Sequence, residues 1–525
     1  MSLDSQDNPI DRRTPIAILI CVLIFLAWQK LYLEPRSIQA PPAPAAQTAQ
    51  APKGAPVTGT TPPAVGIPTA SASAELVSKP MATGTGEALI SNGPYLFSGW
   101  QLKSYRRGLG QETPSVELQD VVKRDREVLL TFDDPALAYL ATDSVRGALE
   151  QRGAGYVWSY EDANVKLTRE FSPLADKPAV DVKLTAEFKT RVPARALVSI
   201  GSQPVADDPE AHDRQLVYFT GKSLERERVT DIERTEVATP VRYIGATSRY
   251  FVMALLNQGA AEPKGLLEPV PAPPGGGRAH LVFPVTGKSA VIPIRVYFGP
   301  KEIDLLRSVD PALDHTVELG MFTVIAYPLL SILKQFYKWF HNYGIAIILL
   351  TILVKLVLYP LTYKSMKSMK QMAKVQPQLQ RLREKYKDDR EALNREMLTL
   401  MRSHGYNPMS GCLPILVQMP VFFALYQVLY SSIELFHAPF FFWIHDLSAK
   451  DPYFVTPVLL TLTMYVQQKL TPQTATDPAQ QKMLQFMPIM FGAFMIALPS
   501  GLTLYMLVNA IVSIAQQTYL NKKFA

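Results

Sequence analysis

Lys355 is the residue least expected from its surroundings. It sits inside Ile345–Tyr363, a run that is otherwise almost wholly apolar. A charge at mid-span costs about 2.5–3.5 kcal/mol on insertion scales, so it needs a polar cavity or a partner. The alternative is snorkelling, because Lys364 marks the cytoplasmic end about 13 Å further along at the standard helical rise. Other apolar stretches carry Gln418, Gln427, Gln467, Gln468, Asn509, Ser513 and Gln516. Taken singly, each suits an interhelical hydrogen bond. Taken with Lys355, they describe a hydrophilic pocket open toward the cytoplasmic side.

Catalytic chemistry finds little support. Gly221-Lys222-Ser223 and Gly287-Lys288-Ser289 resemble the end of a phosphate-binding loop. The first glycine of such a loop, five positions earlier, is replaced by Leu216 and Val282, so both fail. The histidines show no His-Glu-x-x-His spacing, and no cysteines pair at metal-ligand spacing. His437 and His445-Asp446 in one outer loop come nearest to a metal set, and no metal is expected there. Cys21 and Cys412 lie far apart in or beside apolar stretches, so no disulfide framework follows. Both are expected to pack as small hydrophobes. No enzyme activity and no cofactor are expected.

The elements that hold these residues are long apolar helices. Residues 1–34 run from Asp11-Arg12-Arg13 into an apolar stretch ending near Trp28 and Tyr32. A cleaved signal peptide has a similar layout, but the aromatic, amphipathic end favours an uncleaved signal anchor. Residues 35–85 contain ten prolines among Ala, Thr, Gln and Gly, and read as an extended linker. The region 86–315 carries short alternating runs: Val128–Phe132, Val165–Phe171, Val180–Phe188, Leu216–Phe219, His280–Phe283 and Val291–Phe298. Such runs between turn residues predict an antiparallel β-sandwich or barrel, placed outside the cytoplasm by the arginines before the anchor.

Residues 316–342 hold an amphipathic stretch with Lys334, Lys338 and His341 on one side, which suits a helix lying in the membrane interface. Candidate spans follow at 343–363, 413–435, 453–470, 483–498 and 500–519. With the anchor, the expectation is a multi-span α-helical membrane protein of six transmembrane helices, both termini cytoplasmic. The basic residues at 364–402, 469, 482 and 522–523 all fall inside on this scheme.

The net charge is concentrated in one segment. Between Lys364 and Gly411 there are eleven Lys/Arg against five Asp/Glu, while the whole chain carries +7. Such a segment between apolar spans faces anionic headgroups or RNA rather than reading a nucleic acid directly. Val375, Leu379, Leu382 and Tyr386 share the i, i+4, i+7, i+11 pattern of Leu393, Met397, Leu400 and His404. The matched stripes predict a helical hairpin over 364–404, capped by Asp388 with Glu391. Met366, Met369 and Met372 lie among Lys364, Lys367, Lys370 and Lys374, and flexible thioethers beside positive charge accept varied apolar segments. The positive-inside rule alone accounts for the charge, but not for the paired stripes.

Several segments resemble the YidC/Oxa1/Alb3 family of membrane-protein insertases. They include Tyr359-Pro360-Leu361-Thr362, Asn407-Pro408 and the run Gly411-Cys412-Leu413-Pro414 through Gln418-Met419-Pro420 to Tyr426. Phe442-Trp443-Ile444-His445-Asp446-Leu447, Gln480-Gln481-Lys482-Met483, Pro499-Ser500-Gly501-Leu502 and Tyr297-Phe298-Gly299-Pro300-Lys301 extend the likeness over nearly the whole chain. The resemblance implies a bacterial inner-membrane protein with a large periplasmic β-sandwich similar to sugar mutarotases, without that activity. It implies a five-helix core over 343–525 around a water-filled groove, with Lys355 where the family usually has arginine. Thr362, Gln418, Gln427, Tyr505, Asn509, Ser513 and Gln516 are expected to line that groove. Met366, Met369, Met372, Lys370 and Lys374 are expected on the hairpin that receives substrates. The implied partners are nascent membrane proteins, the lipid bilayer, the Sec translocon and the ribosome, the last weakened by a basic tail of only Lys522-Lys523. A small-solute transporter using the same pocket is the alternative, and it predicts an internal repeat of spans that is not found.

Overall fold

A computed structural model describes residues 76–523, apart from 107, 110–112, 114, 121–126, 203–213, 271–275, 387–388, 404–408 and 472–477. The expected anchor, Cys21, the linker up to residue 75 and Asp388 lie outside the described residues, as does the side chain of Cys412.

From Ser78 to Pro300 the described chain is mostly antiparallel sheet. The strand Val165–Pro173 buries Val165, Leu167, Arg169 and Phe171, and Ala179–Phe188 buries Val180, Val182, Leu184, Ala186 and Phe188. This period of two follows from side chains pointing alternately to opposite faces. A nine-stranded sheet runs from Leu224–Arg228 at one edge to Ala148–Arg152 at the other. A five-stranded sheet is ordered Thr235–Pro240, Lys264–Val270, Gly276–Pro284, Arg195–Ser202, Val128–Phe132. Val182 and Leu184 of the first share one apolar core with Val198 and Leu281 of the second. Trp100, from a four-stranded sheet, enters the same core 4.6 Å from the Phe298 ring.

The first strand, Ser78–Thr83, begins within the stretch expected to be linker. It buries Met81 alone, so composition gives no sign of it. Backbone pairing with Gly86–Ser91 forms it.

The other face of the nine-stranded sheet packs on α1 (Ile303–Val309), where Leu306 and Val309 meet Val217, Tyr243 and Leu256. After α1, Asp310 accepts from the Ala312 N–H at 2.8 Å and holds Arg242 through both carboxylate oxygens at 3.0 and 2.8 Å. Both contacts come from one guanidinium nitrogen, Nη2, which straddles the carboxylate.

Helix α2 (Thr323–Phe340) occupies the expected interfacial stretch, but its basic residues do not act as one face. Lys338 and His341 are exposed, whereas Lys334 reaches Asp304 at 2.5 Å, Glu302 at 3.6 Å and Glu434 at 3.7 Å. Burial works against the Lys334 ammonium, but the three carboxylates outweigh it and its pKa rises. Burial likewise pushes the Glu434 carboxyl up, with Lys334 opposing.

The single span expected over 343–363 is instead two helices. Asn342 caps α3 (Tyr343–Val357), accepting from the Ile345 N–H at 3.1 Å. Helix α4 (Tyr359–Lys385) starts one residue beyond α3, bent from it by 55° over its first part. Pro360 explains the break, since it supplies no N–H to the ladder and suits the first turn of a new helix.

The α4 helix runs on through the basic segment, and α5 (Arg390–Ser403) returns against it. Val375 and Leu379 are buried there against Met397 and Leu400. The Asp389 carboxylate caps α5, accepting from the Ala392 N–H at 2.9 Å. Glu391 pairs with Arg395 at 3.3 Å. Then follow α6 (Met409–Ser431), α7 (Val455–Leu470), α8 (Pro478–Met495) and α9 (Ser500–Lys523). Among the described residues no single helix is long and apolar enough to cross a membrane, while α3 with Tyr359–Lys367 passes as a bent pair.

Sheets and helices interlock after α6. Ile433 is buried in the core of the sheets, and the Phe436 ring packs 5.0 Å from Tyr250 and 5.7 Å from Phe251. Arg249 donates to the Tyr430 carbonyl at 2.7 Å and lies 3.7 Å over its ring.

Candidate functional site

The α9 helix packs on α3 and α7, and this pairing brings Lys355 to Ser513. The Lys355 ammonium, half-buried, donates to Ser513 Oγ at 2.8 Å. Ser513 Oγ in turn donates to the Asn509 carbonyl one turn earlier at 2.7 Å. Gln516 donates from its amide to the main-chain carbonyl of Lys355 at 3.4 Å, just ahead of the helix break. Among the described residues no carboxylate pairs with Lys355. The Lys355 side chain is therefore held by a neutral hydroxyl rather than by an anion.

Tyr505, buried near the start of α9, lies beside Gln418 of α6. Lys355, Gln418, Tyr505, Asn509, Ser513 and Gln516 thus sit on α3, α6 and α9. The hydroxyl of Thr362, half-buried on α4, donates to the Leu358 carbonyl of the preceding turn at 3.1 Å.

Gln427 does not join this set. Its amide donates to the Glu318 carbonyl at 2.9 Å and to Ser431 Oγ at 3.1 Å, next to the contact with the sheets. There it secures the chain entering α2.

On the hairpin, Lys370 donates to the Asn521 carbonyl at 2.9 Å, a cation at the C-terminal end of α9. Met366 is buried, 8% exposed, so its thioether is turned inward rather than offered to a passing segment. Met369, Met372 and Lys374 lie on α4, but their side chains are outside those described.

Two residues that the sequence reading omits strengthen the same helix face. Gln517 donates to Thr471 Oγ1 at 2.9 Å and Asn521 to the Leu470 carbonyl at 3.4 Å, fastening α9 to the end of α7. The signal was available, because Asn509, Ser513, Gln517 and Asn521 recur every four residues and share one helix face.

Comparison with known proteins places this arrangement. The family model described as 60Kd inner membrane protein matches residues 335–525, and that described as YidC periplasmic domain matches 156–332. The membrane protein insertase YidC of Geobacter metallireducens is 36% identical over 546 residues, covering 98% of this chain and 99% of that one. A relative of the same name from Pelobacter propionicus is 33% identical over 557 residues, again covering 98% and 99%. A solved structure described as an active YidC insertase with its first transmembrane domain resolved has 20% identity and a TM-score of 0.36, covering 84% of this chain and 93% of that one. Correspondence along the full length at these identities, with family matches on both the sheet region and the helices, makes this chain a member of the YidC family of inner membrane proteins.

Proposed function

We propose that this chain is a membrane protein insertase whose working residue is Lys355, in a polar groove between α3, α6 and α9 that opens to the cytoplasm. The observation that carries the reading is the Lys355 ammonium, bonded to the Ser513 hydroxyl without a carboxylate among the described residues. A cation so placed within apolar helices attracts acidic residues of an entering segment. Asn509, Ser513 and Gln516 replace part of the water that the segment loses. Its apolar part then moves sideways into lipid, and burial of that surface drives the step.

The proposed topology has six spans with both termini cytoplasmic, and the sheets form a periplasmic β-sandwich. The hairpin of α4 and α5 receives the segment, with the Sec translocon and the ribosome as further partners.

Proteoliposomes holding the pure protein test this with a small single-span substrate that bears a short acidic outer segment. Protease protection is scored for wild type, Lys355→Arg, Lys355→Glu and empty liposomes. The expected order is wild type close to Lys355→Arg, with Lys355→Glu well below both. Equal protection by the Arg and Glu variants would remove the electrostatic part. Protection by wild type no better than empty liposomes would sink autonomous insertion.

A further inference from the structure

The chain between α6 and α7 is more than a connector. From His437 to Ile444 it reads His-Ala-Pro-Phe-Phe-Phe-Trp-Ile, with no Lys, Arg, Asp or Glu. Its inner side is fixed. Ile444 and Leu447 are buried in the helical core, and Leu447 N–H donates to the Ala438 carbonyl at 2.9 Å. The Phe440 ring lies so close to Gly344 of α3 that a side chain on that glycine would collide with it. Asp446 holds His437 Nδ1 at 2.7 Å and accepts from Ser448 N–H and Oγ at 2.7 and 2.6 Å. Asp451 accepts from Tyr453 N–H at 3.0 Å and from Thr456 N–H at 2.7 Å.

Against this rigid base the outer side is aromatic and bare. Phe442 is 85% exposed and Tyr453 70%, with Phe441 and Phe454 about half exposed. Phe442 and Phe454 hold φ of +58° and +56°, a left-handed backbone that bulky side chains avoid. Such a backbone persists where the surrounding structure fixes it, and here it accompanies the exposed Phe442 ring. The aromatic surface continues directly into the exposed face of α7, where Val458 and Leu462 stand out. In a member of an inner-membrane family, that apolar helix face is the lipid surface, and the loop prolongs it at its end.

We propose that the α6–α7 loop is a preformed aromatic wedge that seats Phe441, Phe442 and Tyr453 in the interfacial zone of the outer leaflet. Aromatic rings suit that zone, and the lack of charge at the tip removes the penalty of entering it. The wedge rests on the orientation proposed above, with this loop on the periplasmic side.

The test uses the full chain in lipid bilayers with Cys21→Ser and Cys412→Ser. Nitroxide labels are placed through Phe441→Cys, Phe442→Cys and Tyr453→Cys, with Lys222→Cys in the sheet domain as the water-exposed reference. The expected result is loss of contact with a water-soluble nickel relaxant at the three loop positions, and its retention at 222. Nickel contact at all three loop positions equal to that at 222 would overturn the wedge, and would point to a partner protein as the covering surface. Hydroxyl-radical footprinting of the unsubstituted protein in nanodiscs guards against labels that disturb the loop. Phe442 should be protected relative to its exposure, and free oxidation would again overturn the proposal. An impermeant thiol reagent applied to the periplasmic side reports orientation separately, through Lys222→Cys against Arg395→Cys. Reaction at 395 alone would overturn the outer-leaflet assignment while leaving the depth signal intact.

Discussion

Ser513 offers Lys355 a hydroxyl where a carboxylate would neutralise it. Hydrogen bonds to charged groups contribute about 1.5–3 kcal/mol, so Ser513→Ala is expected to lower stability within that range. Unfolding of Lys355→Met, Ser513→Ala and the double variant gives the coupling directly. The double variant should cost little more than Lys355→Met alone, and strict additivity would mean that the bond carries no energy. A second residue-scale effect lies far from this site. His280 is buried on the five-stranded sheet, and burial followed by the Arg278 charge lowers its pKa to about 3, despite a Glu268 oxygen 3.4 Å away. The unfolded chain takes up a proton on this imidazole below about 6.5 and the folded one does not, so acid favours unfolding. Between pH 6.5 and 4.5 this single group should withdraw about 2–3 kcal/mol of stability. Its share is fully present above that window and lost as pH falls toward 3. In His280→Leu the pH dependence should flatten by this amount; an unchanged slope would assign the acid sensitivity to other groups.

Helix α5 begins on one carboxylate, and Asp389→Ala should loosen its first turn by about 1 kcal/mol. Amide exchange of Glu391 and Ala392 should accelerate, while the far end of the hairpin around Leu400 stays protected by its contacts with Val375 and Leu379. The hairpin itself was legible because its stripes repeat at helical spacing and must face something apolar. Asp389 as a cap was not singled out, because in sequence it is chemically identical to its neighbour Asp388. Pro360 could have announced the break after Val357, but hydropathy measures only how apolar a run is and is blind to a bend. The strands with alternating burial were readable for the same reason as the stripes. Ser78–Thr83 was not, because an edge strand held by backbone pairing needs no apolar pattern. Gln427 shows a different limit. A glutamine in an apolar helix looks the same in sequence at the rim or in the middle, and only the Glu318 carbonyl distinguishes the two.

At the scale of the whole molecule, the sheet domain and the helices share buried contacts rather than a bare tether. Ile433 from the end of the helical core lies among the sheets, 4% exposed, and Arg226 meets Glu318 at 2.7 Å across the junction. Lys334 completes the joint, with Glu302 and Asp304 at the sheet-side helix and Glu434 beside Ile433. The Glu434 side chain is 8% exposed and that of Lys334 22%, so the pair is largely withdrawn from water. Removing one member of a buried pair strands the other, at a cost up to about 3–5 kcal/mol. Lys334→Met should therefore destabilise the joint, and adding Glu434→Gln should restore part of the loss by removing the stranded charge. Two probes separate this from a general loss of stability: in a background with Trp28, Trp339 and Trp443 replaced by Phe, the fluorescence of buried Trp100 and Trp158 reports the sheets, and the far-UV signal is dominated by the helices. In wild type the joint should make both signals change together on heating, as cooperative unfolding requires. In Lys334→Met the transitions should part, and in the double variant they should draw together again. Coincident transitions in every variant would mean that Ile433 and Arg249 carry the coupling without help from the charges, and separate transitions already in wild type would make the two regions energetically independent.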